Sequence, residues 1–255
     1  MIASSFLLNQ RNFSYFRAKI QIMLDKILIV DDDRNICEIL EFNLSNEGYY
    51  VECAYSAEEA LKKLSPHYSL ILLDVMMGGM SGYKMAEKLR KENNPIPIIF
   101  LTAKDTENDM LTSFSVGGDD YIPKPFSIKE VIARVKALIK RTKAVEKKED
   151  TIDSTKKIVF GNITIDIEAK ELLINDNRIV LTKTEFQLLT LLAKNPDKIL
   201  SREEILDVVW HTPFISERTI DVHITRLRKK MGEYASVLVN RPGYGYKFDT
   251  NEIKV

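Results

Sequence analysis

Several common signatures of a specialised chain are missing. The 255 residues carry no net charge, with 37 basic and 37 acidic side chains. No overall basic excess therefore advertises nucleic acid or an anionic surface, and any such contact must rest on a local patch. Cysteine is scarce. Cys37 and Cys53 are the only two, and no C-x-x-C or zinc-like Cys/His spacing occurs, which excludes a disulfide scaffold and a structural zinc module. Their helix-like and strand-like core positions read as a reduced, buried pair. No apolar run approaches the ~18 residues of a membrane span. Residues 1–23 hold Arg11, Arg17 and Lys19 but no acid. Their longest apolar run, Phe6-Leu7-Leu8, is too short for the core of a signal peptide. This segment reads as a disordered extension, or as sequence upstream of a start at Met23.

What is present is the composition of a globular protein, 45% hydrophobic and 29% charged, in a chain long enough for two domains. Residues 26–142 alternate strand and helix signals, which predicts an α/β doubly wound parallel sheet with helices on both faces. KILIV (26–30), YVECA (50–54), SLILL (69–73), IPIIFLTA (96–103) and a short run ending at Tyr121-Ile122 are the five strands. A helix over 35–46 stops at Gly48. Ser56 with Glu59 and Ser127 with Glu130 read as capping boxes for two further helices. TKAVEKKEDTIDSTKK (142–157) is polar and without apolar period, so it is a linker. Residues 158–182 alternate as an antiparallel sheet with turns at Gly161-Asn162 and Asn175-Asp176-Asn177. Thr182 with Glu185 and Ser201 with Glu204 cap two helices, a third spans about Ser216–Met231, and RPGYGYKF (241–248) is a hairpin. Together they predict a winged helix-turn-helix of α+β type. The domains are placed at 24–143 and 158–250, with 16 basic against 19 acidic residues in the first and 14 of each from 158 onward.

The chemistry is concentrated at strand ends. Asp31 and Asp32 follow the first strand, Asp74 the third, and Lys124 the fifth. In an open α/β sheet the carboxyl ends of the strands converge on one edge, where ligands bind. Clustered carboxylates repel unless a cation sits among them, and hard cations such as Mg²⁺ take oxygen ligands. A carboxylate beside Mg²⁺ and a lysine can accept a phosphoryl group, because both positive charges offset the transferred charge. Asp74 is therefore read as a phosphoacceptor and Asp33 as a solvated neighbour.

In order along the chain, ILIVDDD (27–33), LLDVMM (72–77), LTA (101–103), DDYIPKPF (119–126), LTKTEFQLL (181–189), SREEILDVVW (201–210), RTIDVHITRLRKKM (218–231) and GYGYKF (243–248) resemble the OmpR/PhoB family of two-component response regulators. The resemblance covers about residues 24–250. It implies a cytoplasmic regulator of transcription, not an enzyme, phosphorylated on Asp74 by a sensor histidine kinase. It also implies Mg²⁺ held by Asp31, Asp32, Asp74 and the Met76 carbonyl. Thr102, Ala103 and Lys124 would meet the phosphoryl group, Tyr121 would be the rotating readout, and the Lys124-Pro125 bond would be cis. Homodimerisation on activation would use Asp119, Asp120, Glu130, Arg134 and Arg141. The chain departs from that pattern at Met110, where a basic partner for Glu130 is usual, at Ser115, where the loss of a usual acid leaves Lys136 unpaired, and at Gly78 and Gly118.

On a helical wheel Ile220, Ile224, Leu227 and Met231 fall within about 60° and form a core stripe. Val222 lies opposite, and five basic residues against two acidic ones give residues 217–230 a net +3. Thr219, Val222, Thr225 and Arg226 are assigned to base edges or adjacent phosphates of promoter double-stranded DNA, with Val222 suited to a thymine methyl. Arg218, Arg228 and Lys229 are assigned to phosphates. His223 is read as either a phosphate contact or a half-buried structural residue. Trp210 is read as packing, with a DNA-backbone contact as the family's alternative. Arg241 and Tyr244 sit in the predicted wing, and residues 211–216 resemble a segment that faces RNA polymerase in the family.

Two other readings compete. One is a phosphorylation-independent regulator with a constitutive receiver dimer. The other is an aspartyl-phosphate phosphatase of the haloacid dehalogenase kind, suggested by Asp31-Asp32-Asp33, although Asn35 stands where those enzymes want Thr or Val. A steady-state assay on small phosphoesters separates the phosphatase from a regulator. The expected result is a stoichiometric reaction at most, and multiple turnover would make the chain an enzyme.

Overall fold

The strands are buried on both faces, which is why they read as unbroken apolar runs rather than alternating ones. In the computed structural model, residues 25–103, 112–144, 157–210 and 217–253 are described, with backbone only for 141–144. The N-terminal elements are β1 (Lys26–Val30), α1 (Arg34–Asn46), β2 (Tyr50–Ala54), α2 (Ala57–Lys63), β3 (Tyr68–Asp74), α3 (Gly82–Lys91), β4 (Ile98–Thr102), β5 (Asp120–Pro123) and α4 (Ile128–Ala144). The strands form one parallel sheet in the order β2-β1-β3-β4-β5. Period-two alternation splits each strand between two cores. Leu28, Val30, Ile71, Leu73, Ile98 and Phe100 pack with Ala57, Met85 and Leu89 from α2 and α3. Ile27, Ile29, Leu70, Leu72, Ile99 and Leu101 pack with Leu40, Leu44, Val131 and Val135 from α1 and α4. Cys37 is a buried free thiol on α1 and Cys53 a partly buried one on β2.

The C-terminal half builds a separate core. The strands β6 (Lys157–Phe160), β7 (Ile163–Asp166), β8 (Glu171–Ile174) and β9 (Asn177–Ile179) form an antiparallel meander. Asn175 and Asp176 both adopt positive φ in the tight turn before β9, as a two-residue hairpin loop requires. Then come α5 (Lys183–Ala193), α6 (Arg202–Val209) and α7 (Arg218–Met231), a 3₁₀ turn (Gly232–Val237), and the hairpin β10 (Leu238–Arg241) and β11 (Gly245–Phe248). The helices, Trp210 and the hairpin close over Ile163, Ile165 and Leu172 of the meander. Among the described residues, no helix is long and apolar enough to cross a membrane.

Local expectations meet the structure unevenly. The boxes at Thr182/Glu185 and Ser201/Glu204 are reciprocal. The pair Ser56/Glu59 is half a box. Ser56 accepts the Glu59 amide, but the Glu59 carboxylate accepts the Tyr55 amide and meets Lys63 instead. Ser127 likewise accepts the Glu130 amide, while the Glu130 carboxylate goes to Arg134. The helix drawn from Ser216 begins at Arg218. Residues 1–23, Met110, linker residues 145–156, loop 211–216 and the Arg141 side chain lie outside the described residues.

One close approach sets the geometry of the edge used below. At Gly82, the first residue of α3, an added Cβ would lie 2.1 Å from the Asp74 carbonyl oxygen, so α3 starts directly against the end of β3 with no room for a side chain. Gly82→Ala should therefore push α3 off that edge and cost about 1–3 kcal/mol. The check is a lower urea midpoint together with slower acceptance of phosphate from acetyl phosphate.

Candidate functional site

The sheet brings four residues to one edge. Asp31 follows β1, Asp74 ends β3, Thr102 ends β4 and Lys124 follows β5. Asp31, Asp74 and Thr102 are buried and Asp32 is exposed. One carboxylate oxygen from each of Asp31, Asp32 and Asp74 lies within 4.8 Å of the others. Lys124 Nζ donates to Asp31 Oδ2 at 2.7 Å and lies 3.2 Å from Asp74 Oδ2. The Lys124-Pro125 peptide is cis.

Backbone amides also donate to these carboxylates. Met76 N–H donates to Asp74 Oδ1 at 3.3 Å, and Gly78 N–H to Asp32 Oδ2 at 3.3 Å. Asp33, expected as a solvated neighbour, is exposed and also serves as the N-cap of α1, accepting from the Asn35 and Ile36 amides. Its carboxylate satisfies helix-end donors that would otherwise be bare.

Burial pushes the Asp74 carboxyl above its ordinary value, and Asp31 adds to this, while Lys124 and the Met76 amide work against it. Burial disfavours the Lys124 ammonium, but its bond to Asp31 and the fields of Asp74 and Asp31 outweigh that and raise its pKa. Three carboxylates thus face one ammonium. The surplus negative charge and the all-oxygen donor set fit a hard divalent cation.

The charged positions beside β5 are engaged within the chain. Asp119 is fully buried, accepting from Arg90 Nη2 at 3.2 Å and from the Ile98 amide at 3.1 Å. Arg134 is buried between Asp120, at 3.0 Å from Oδ1, and Glu130, at 2.8 Å. The i, i+4 spacing of Glu130 and Arg134 on α4 turns the guanidinium back onto β5. Lys136, expected to be unpaired, meets Glu47 at the end of α1. Tyr121 is partly buried with its ring edge-on to Phe114 at 5.8 Å.

On α7 the stripe of Ile220, Ile224, Leu227 and Met231 is buried as the wheel requires. Arg218, Thr225 and Lys229 are exposed and Val222 partly so. Thr225 donates its hydroxyl to the Asp221 carbonyl. Thr219, assigned to DNA, is buried, and His223 is buried as well, on the structural side of its two readings. His223 is covered by Phe114 at 5.5 Å and Trp210 at 5.2 Å. Arg226 donates to the Phe114 and Gly118 carbonyls at 3.3 and 3.2 Å and lies 2.9 Å from Glu185. Arg228, assigned to phosphates, donates through Nε to the Leu238 carbonyl at 3.1 Å and ties α7 to β10. Arg241 and Tyr244 are exposed at the hairpin tip.

Sequence reasoning missed Arg90, Phe114 and a second role for Glu185. The spacing marked Glu185 only as a cap. Burial pushes its carboxyl up, but Arg226 and Lys230 outweigh burial and hold it below the usual carboxylate range. Lys230 Nζ lies 2.6 Å from Oε2, which also accepts the Thr182 amide.

The fold and site define a class: a receiver domain carrying a DNA-binding transcriptional output. Residues 27–136 match the response regulator receiver domain, and residues 176–248 match the C-terminal domain of transcriptional regulatory proteins. The chain is 40% identical over 230 residues to the transcriptional regulatory protein ResD of Bacillus subtilis (strain 168), covering 88% of this chain and 95% of ResD. It is 40% identical over 233 residues to SrrA of Staphylococcus aureus (strain NCTC 8325 / PS 47), covering 89% and 96%. A RitR mutant structure, 28% identical, superposes with a TM-score of 0.71 over 88% of this chain and 98% of that one. The chain belongs to the OmpR/PhoB family of two-component response regulators.

The depressed pKa of Glu185 has a pH consequence. Its contribution is present above the unfolded carboxylate value of ~4.3 and is lost as pH falls through the lower folded value. Glu185→Gln should cost about 2 kcal/mol near neutral pH. The gap in urea midpoint between the two proteins should close as pH falls below ~4. A gap independent of pH would mean that the charge on Glu185 contributes nothing.

Proposed function

We propose that the chain is a phosphorylation-switched DNA-binding regulator of transcription, its receiver spanning 24–143 and its winged-helix domain 158–250, joined by a linker and preceded by an extension. The observation that carries the reading is a buried Asp74 at the carboxyl edge of the sheet, within reach of Lys124 and two further carboxylates. A sensor histidine kinase is the donor. An oxygen of Asp74 forms a bond to phosphorus as the bond from phosphorus to the histidine nitrogen breaks, with the electron pair leaving on the imidazole. Catalysis is mostly positioning and charge neutralisation.

Asp31, Asp32, Asp74 and the Met76 carbonyl would hold Mg²⁺, which when bound offsets charge on the phosphoryl oxygens. Lys124 needs only a small shift from Asp74 Oδ2 to follow the transferred group as a point charge. The Thr102 hydroxyl and the Ala103 amide would donate to the other oxygens. Movement of Thr102 toward them frees space for Tyr121. Water later hydrolyses the acyl phosphate, and no external substrate is turned over.

The rearrangement at β5 and α4 would free Asp120, Glu130 and Arg134, with Asp119 and Arg141, to pair across a receiver homodimer. Because Asp120 and Arg134 are paired within one chain, dimerisation needs this change first, which weighs against a constitutive dimer. Two α7 helices would then read repeated promoter half-sites about one helical turn apart, with the loop 211–216 available to RNA polymerase. Such a regulator works in the cytoplasm.

Light scattering tests the switch. With beryllofluoride and Mg²⁺, the native chain should go from monomer to dimer while Asp74→Ala stays monomeric. A native chain that is dimeric throughout, or never dimeric, would sink the coupling of Asp74 to assembly.

A further inference from the structure

The two cysteines of the chain meet in the fold. Cys37 lies on α1 and is buried, and Cys53 lies on β2, an edge strand of the sheet, and is partly buried. Cys53 Sγ is 3.9 Å from the Cys37 carbonyl oxygen and 3.6 Å from Glu41 Oε2. The two thiols also meet each other. The Cys37 side chain foremost, then burial and the Glu41 carboxylate, push the Cys53 thiol up.

This pair is tied to the acidic edge through Asp31. The Asp31 N–H donates to the carbonyl of Ala54, the residue after Cys53, at 3.2 Å. The Asp31 carbonyl accepts from Cys37 Sγ at 3.4 Å. The backbone on both sides of the Asp31 side chain is therefore held by the pair or by its immediate neighbour. Asp31 is fully buried, and its carboxylate meets Lys124 and stands with those of Asp32 and Asp74. Groups that hold a ligand residue from behind set how well it serves a cation, and their loss typically weakens metal binding by about 10–100-fold.

We propose that Cys37 and Cys53 are an oxidisable dithiol, a modification site beside the phosphoacceptor edge, and that their disulfide weakens cation binding and phosphoryl transfer by disturbing Asp31. The consequence for phosphoryl transfer rests on the functional reading above. The oxidant is a hydroperoxide, small enough to reach the partly buried Cys53 first. The Cys53 thiolate attacks one peroxide oxygen, the O–O bond breaks, and hydroxide leaves, which gives a sulfenic acid. The Cys37 thiolate then attacks the Cys53 sulfur. The S–S bond forms, the S–O bond breaks, and a second hydroxide leaves. The two thiol protons convert both hydroxides to water, so two thiols are oxidised as one peroxide is reduced. A thiol held protonated reacts slowly, so the site answers sustained oxidant. The neighbouring thiol captures the sulfenic acid before it is oxidised further. Once joined, Cys37 has no S–H left for the Asp31 carbonyl, and α1 is drawn toward β2 at that point.

The test uses the full chain, fully reduced and then treated with hydrogen peroxide. Glutamyl endopeptidase separates the cysteines by cutting at Glu38, Glu41, Glu47 and Glu52. The map should show the Cys37 and Cys53 peptides joined, two hydrogens lighter than the separate pair, and resistant to alkylation until dithiothreitol is added. Isothermal titration calorimetry with Mg²⁺ should show about tenfold weaker binding by the oxidised chain. Acetyl phosphate at subsaturating Mg²⁺ should phosphorylate it about tenfold more slowly. Dithiothreitol should restore both, which it does not do for methionine sulfoxide. Cys53→Ser keeps the contact of Cys37 with Asp31. It should match the reduced native chain in both measurements and ignore peroxide. Cys53→Ala serves the same purpose if the serine variant folds poorly.

Three results would overturn the proposal. Peroxide leaves the two peptides separate, with Cys53 oxidised alone or both thiols still alkylatable. The disulfide forms, yet Mg²⁺ affinity and phosphorylation rate stay as in the reduced chain. Peroxide weakens Cys53→Ser as much as the native chain, so that the effect lies in another side chain. A reduced native chain that neither binds Mg²⁺ nor accepts phosphate is a different failure. It would remove the functional reading and with it the consequence drawn at Asp31, while the peptide map would still decide the dithiol.

Discussion

Three carboxylates crowd around one ammonium at the carboxyl edge of the parallel sheet, and the receiver is organised around that imbalance. Strand ladders fix where Asp31, Asp74 and Lys124 stand, so the charges cannot relax by moving apart. Burial of Asp31 and Asp74 removes the water that would otherwise screen them. Lys124 meets both acids but neutralises only one charge. A site in this condition responds strongly to any added charge, whether a cation between the acids or a phosphoryl group on Asp74. Gly82, with no room for a side chain against the Asp74 carbonyl, sets α3 directly against this edge.

The DNA-binding half uses a similar device for a different end. Glu185 is buried and ionised because Arg226 and Lys230 converge on it from α7 while it caps α5. A buried carboxylate with two cations is costly to disturb, so it fixes how α7 lies on α5. It also aligns Arg226, whose other nitrogen reaches the receiver carbonyls. A residue recruited to hold the helix in place therefore sits at the border between the halves.

Much of this was legible beforehand, for particular reasons. Asp31, Asp74, Thr102 and Lys124 each terminate or follow an apolar run, and a parallel sheet gathers such positions on one edge whatever lies between them. The stripe Ile220, Ile224, Leu227 and Met231 followed from helical period alone. What the sequence did not show has an equally definite origin. Asp33 was one of three consecutive acids, and only the local turn decided that it caps α1. Thr219 and Arg226 lie off the core stripe on the wheel, and His223 lies beside it. A wheel gives a side chain's direction but not which distant segment will cover it. Asp119, Asp120 and Arg134 match family positions by spacing, yet their partners are Arg90, Glu130 and one another within one chain.

Period, strand-end placement and motif order were enough to settle two domains, a five-stranded parallel sheet, a winged helix-turn-helix and the set of residues at the acidic edge. These depend on interactions short in sequence or on a topology that the alternation of strand and helix dictates. The state of individual charges and the docking of α7 were decided by the tertiary structure alone. Burial, counter-charge and ring contacts between residues roughly a hundred positions apart, such as Phe114 with His223 and Asp119 with Trp210, arise only when the chain has folded. Electrostatic cost depends on those surroundings and not on residue type.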